Sequence, residues 1–163
     1  MAAANLSAIL EPLRQPAPVA DPTRRRLPGV ARLAVVLELF LAIGALGGGG
    51  LLILGPDGHL LGIPPKMLAG TPFDTFLVPG ILLFVFVGVL PIAAALVAAR
   101  RRSVAPMAAL AVGLTLMGWI TVEMVLLAGP SSLFWAFYLV LGTVIAATGV
   151  AWSRHAGLSS RAA

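Results

Sequence analysis

Four apolar runs mark out this chain: residues 30–54, 76–99, 104–128 and 133–152. Each holds 20 to 25 residues, and about 20 helical residues cross a hydrocarbon core roughly 30 Å thick. The pattern predicts an all-α fold, a polytopic membrane four-helix bundle over residues 29–153. Residues 1–28 and 154–163 are then short tails. The first run is longer than the apolar part of a cleaved signal, so it is expected to remain as an anchor.

The connections carry their own signals. Pro12, Pro16, Pro18, Pro22 and Pro28 break any long helix in the N-terminal tail and predict mobile chain there. In the first loop, Gly55-Pro56-Asp57-Gly58 reads as a tight turn. Pro64 and Pro65 can open a short interfacial helix through Leu68, with Met67 and Leu68 on the membrane surface. A residue before proline resists helix, so Val78 is expected to stay extended and Pro79 to begin the second span. Pro91 lies inside that span and should kink it, releasing the carbonyl of Val87. Gly44 and Gly48 have the GxxxG spacing that lets helices approach closely in lipid. Ser131 or Ser132 can cap the fourth helix.

Charge then orients the bundle. Of 11 basic residues, ten (Arg14, Arg24, Arg25, Arg26, Arg32, Arg100, Arg101, Arg102, Arg154 and Arg161) flank the runs on one side, and only Lys66 lies on the other. The positive-inside rule predicts cytoplasmic termini and a cytoplasmic 100–102 loop. A composition that is 60% hydrophobic and 10% charged excludes a soluble domain with a large core. The net charge of +5 comes from these topology-setting arginines, so no nucleic-acid partner is expected. No Cys is present, which excludes thiol redox chemistry, disulfides and thiolate metal sites. Arg-rich, Ala- and Gly-rich composition points to a bacterial inner membrane.

Two carboxylates, Glu38 and Glu123, lie inside apolar runs, where ionisable groups are expensive and therefore candidate sites. Glu38 is six residues past Arg32, roughly 9 Å along a helix from the cytoplasmic end. Glu123 is five residues from the outer end of its run, roughly 8 Å. In opposite leaflets, the two are not expected to form a shared acid–base pair. Glu38 shares a helical face with Ala34, Ala42, Ala45 and Gly49, which places it against protein. The plainer reading is a carboxylate that snorkels toward a cytoplasmic arginine. Glu123, Trp119, Trp135, Tyr138 and Asp74 are candidates for an outward-facing pocket, with Tyr138 or Lys66 as the expected partner of Glu123. The plainer reading is a belt of aromatic anchors at headgroup level, favoured for Trp135. His59 and His155 fall on opposite sides, and no metal or other cofactor is expected. No nucleophile–base signature occurs.

The pieces TPFDTFLVPG, GWITVEMVLL and LFWAFYLVLG resemble those of the uncharacterised small four-helix integral membrane proteins of bacteria. The resemblance spans residues 30–152. It implies a membrane location and transfers no site residue. The expected role is a non-enzymatic accessory or structural membrane component, in contact with the bilayer and with a second copy or another membrane protein. The alternative is an oligomeric, proton-coupled small-molecule transporter that uses an intramembrane glutamate.

Overall fold

The computed structural model describes residues 27–127 and 132–161, with side chains of 133–155 in the second stretch. Expectations for the N-terminal tail before Leu27 and for a serine cap of the fourth helix, which rests on residue 131 and the side chain of residue 132, lie outside them. Four long helices account for the fold: α1, Gly29–Leu54; α2, Leu77–Ala99; α3, Ala105–Leu126; and α4, Ser132–Arg161. All four are long and apolar enough to cross a membrane. Their outward faces are apolar too: Val36, Ile43 and Phe40 of α1 and Val125 of α3 are all more than half exposed. A surface of this kind suits lipid rather than water. Past its apolar part, α4 continues as helix through Ser153, Arg154 and His155 to Arg161. Polar residues do not stop a helix; they only take it out of the bilayer.

The start of α2 differs from expectation, because Val78 is helical and Leu77 is the first helical residue. Proline does no damage at the third helical position. The first N–H groups of a helix have no intrahelical acceptor, and the first α-type bond is Gly80 N–H to Phe76 O at 2.8 Å. Pro91 is met by a wider coil, since residues Leu83–Val89 form a π-helical segment. Leu90 N–H then bonds to Val85 O, one residue further back than in an α-helix.

Glycine sets the pairing of the helices. A Cβ on Gly49 of α1 would stand 2.8 Å from Phe84 N and 2.9 Å from Gly80 O of α2. A Cβ on Gly113 of α3 would stand 2.5 Å from Ala146 N and Gly142 O of α4, and one on Gly149 would lie 2.6 Å from Leu110 N. These contacts zip α1 to α2 and α3 to α4 as two close hairpins. The predicted GxxxG pair does something else. Neither Gly44 nor Gly48 meets another backbone: their nearest atoms are the Tyr138 hydroxyl at 4.0 Å and a Leu83 methyl at 3.9 Å. The register of α1 puts Gly49, one residue on, at the helix contact.

The two ends of the bundle differ. At the arginine-bearing end, Ala31, Ala98, Ala105 and Trp152 form a close core. Leu41, Val87, Val112, Leu116, Leu141 and Ile145 fill the centre. The short 100–104 turn reverses the chain with Arg101 at φ 53°, a left-handed conformation usual for glycine. Arg101 N–H bonds to Ala98 O and Arg102 N–H to Val97 O, satisfying carbonyls at the end of α2.

At the other end, the 55–76 loop folds back on the bundle. Its two short 3₁₀ turns are His59–Leu61 and Pro65–Leu68, and Phe76 N–H closes the loop on Pro56 O at 2.8 Å. Leu68 and Phe76 are buried against Leu52, so Leu68 is not on the membrane surface as predicted. Burial against protein removes the same apolar area while fixing the loop over the helix ends.

Candidate functional site

Between the two hairpins, at the loop-bearing end, lies a cavity of about 570 Å³. Its walls come from all four helices: Leu41, Gly44, Gly48 and Leu52 of α1, Leu83 and Val87 of α2, Leu116, Trp119, Ile120 and Glu123 of α3, and Phe134, Trp135 and Tyr138 of α4. Leu61, Ile63, Pro64 and Met67 of the loop complete it. The volume is that of a small-molecule pocket, with an apolar lining and few polar groups. Gly44 and Gly48 create much of this space, because any side chain there would point into it. A second, smaller cavity of about 160 Å³ adjoins it behind Trp119, Glu123, Leu83 and Leu127, and reaches Leu68, Phe76 and Pro79.

Four of the five expected pocket residues meet here: Glu123, Trp119, Trp135 and Tyr138. Asp74 does not; it is exposed on the loop and lines neither cavity. Glu123 is half-buried at the wall shared by both cavities. Its partner is Trp119, whose Nε1–H donates to Oε1 at 2.7 Å. Neither Tyr138 nor Lys66 takes that role, and Lys66 is exposed on the loop. One helical turn separates Trp119 from Glu123, so α3 itself presents the indole N–H to the carboxylate. The second carboxylate oxygen has no partner among the described residues and remains accessible.

Trp135 lines the cavity with its Nε1 buried and unpartnered among the described residues. A headgroup-level anchor keeps that N–H wet, so the belt role expected for Trp135 does not describe its placement. Tyr138 packs at a tilt against Phe134 and edge-to-face with Phe137, with ring centroids 4.8 and 5.1 Å away. These contacts hold its hydroxyl over Gly44.

Glu38 is in a different place. It is 1% exposed, on the α1 face with buried Ala34, Leu41, Ala42 and Ala45. It lines neither cavity. Glu38 lies three residues before Leu41, so it is about 4.5 Å beneath the cavity floor formed by Leu41, Val87 and Leu116. Its Oε2 has no hydrogen-bond partner among the described residues. The other buried polar side chain among them, Thr148, donates its hydroxyl to Ile145 O at 2.6 Å.

The loop carries one further polar pair that sequence reasoning left separate. Asp57 and His59 are joined side chain to side chain. This hydrogen bond, helped by His59 N–H, holds the Asp57 carboxyl below its ordinary range. The spacing of two residues in a turn was the available signal. Both groups are exposed, so the pair steadies the turn rather than forming a site. No family model, curated protein or solved structure matches this chain.

Proposed function

We propose that this chain is a non-enzymatic, multi-pass protein of a bacterial inner membrane, whose cavity holds a small amphipathic molecule drawn from the bilayer. Ten of 11 basic residues flank the spans on one side, which supports cytoplasmic termini and an outward-facing 55–76 loop. The cavity then lies in the outer half of the bundle. One observation carries the binding role: about 570 Å³ of apolar, aromatic-walled space is kept open by glycines that hold no helix contact. A purely structural bundle gains by filling such space, since empty volume forfeits packing contacts. Binding fits an accessory component, with the bilayer as supplier and a second copy or another membrane protein as recipient.

The transporter reading has less support. Glu38 lies beneath a floor of Leu41, Val87 and Leu116, and Glu123 lies above it, so the two carboxylates share no common chamber.

Native mass spectrometry of the protein released from nanodiscs of native lipid tests the proposal. Wild-type protein should carry a small molecule at one per chain. Gly48→Leu, which fills the cavity without touching the Gly49 contact, should carry none. Identical spectra for the two proteins would contradict the binding role.

A further inference from the structure

We infer that the ligand of this cavity is an amphipathic organic cation, an amine or quaternary ammonium, bound with its charge at Glu123. The inference rests on the binding role proposed above and names the ligand chemistry. Among the described residues, Glu123 is the only charged one in the lining; no described Lys, Arg or His accompanies it. A carboxylate in apolar surroundings needs a cationic or hydrogen-bonding partner. The protein provides one partner, the Trp119 indole N–H on Oε1, and leaves the other oxygen accessible.

The walls of the cavity suit the same charge. Trp119, Trp135, Tyr138 and Phe134 all line the space. Aromatic faces attract ammonium groups, most strongly where water is excluded, and they do so without the hydration that a small inorganic cation demands. The remainder of the lining is Leu, Ile, Val, Met, Pro, Ala and Gly, a surface for an apolar tail. Gly44 of α1 and Phe134 of α4 both line the cavity and are exposed, so the gap between these helices is the route by which a tail would enter. An anion is disfavoured by Glu123. A neutral amphiphile leaves the carboxylate's charge uncompensated in apolar surroundings.

The test uses two probes in nanodiscs: tetracaine, an aryl ester with an amine protonated at neutral pH, and benzocaine, an aryl ester that lacks it. Equilibrium binding of each radiolabelled probe is measured, with empty nanodiscs subtracted. Wild-type protein should bind tetracaine saturably and at least about tenfold more tightly than benzocaine, the size of a desolvated charge contact. Glu123→Gln keeps an oxygen to accept the Trp119 N–H, so the local fold should survive. It should weaken tetracaine roughly tenfold and leave benzocaine unchanged. Gly44→Leu, on the opposite wall, should abolish both. Benzocaine binding as tightly as tetracaine, or tetracaine binding that ignores Glu123→Gln, overturns the cationic assignment while leaving the cavity a binding site. Saturable binding of neither probe, together with no copurified molecule, overturns the binding role itself.

Discussion

Glu38 and Glu123 look alike in the sequence and have opposite fates in the fold. Glu38 is sealed among alanines with a carboxylate oxygen that no described residue satisfies. A buried unsatisfied polar group costs about 1–3 kcal/mol, and an apolar residue of similar size avoids that penalty. Glu38→Leu should therefore raise stability in detergent by about 1 kcal/mol or more, whereas Glu38→Gln should change it little. Thermal unfolding of the three proteins decides this; a Leu variant less stable than wild type would mean that the carboxylate makes a stabilising contact. The burial of Glu38 was legible from its small-residue face. The partner of Glu123 differs from the expected Tyr138 or Lys66, although its signal is in the sequence: Trp119 lies four residues earlier, and proximity on one helix turn outweighs polarity across a loop.

At the scale of elements, the spans were the easiest feature to read and their contacts the hardest. Apolar length alone defines a crossing, and the four helices begin and end within a few residues of the runs apart from the polar extension of α4. Helix rotation is another matter. A glycine-rich stretch such as Gly47–Gly50 offers several candidate contact faces, and composition cannot say which one meets α2. The GxxxG spacing favoured Gly44 and Gly48; the fold uses Gly49 and leaves the other two to shape the cavity. Gly49→Ala should lower stability by about 1–3 kcal/mol, since its Cβ would press on the Phe84 and Gly80 backbone. Gly47→Ala meets nothing within 4 Å and should be neutral or raise stability by up to about 1 kcal/mol through helix propensity. Denaturation of both variants in the same detergent separates them, and equal losses would contradict the assigned helix contact. The π segment before Pro91 escaped the sequence for a related reason. Proline forecasts a disturbed ladder, but neighbouring packing selects between a kink and a wider coil.

At the scale of the whole molecule, two glycine-zipped hairpins close on alanines at one end and part around aromatic side chains at the other. The charge asymmetry of the chain and the shape of the cavity come together in one claim: a ligand-sized space lies open at the end of the bundle opposite the arginines. With no native cysteine, single substitutions report on it cleanly. Gly47 and Gly48 are adjacent on α1, one facing outward with open space and the other lining the cavity. A thiol reacts through its thiolate, which needs water. The decisive measurement is modification of Gly48→Cys, Gly47→Cys, Gly62→Cys and Ser103→Cys in intact cells by a charged, membrane-impermeant methanethiosulfonate. The account predicts reaction at Gly48→Cys and at loop position Gly62→Cys, none at lipid-facing Gly47→Cys, and reaction at Ser103→Cys only after the membrane is permeabilised. An unreactive Gly48→Cys beside a reactive Gly62→Cys would contradict the open cavity, and the reverse pattern at Gly62→Cys and Ser103→Cys would contradict the orientation.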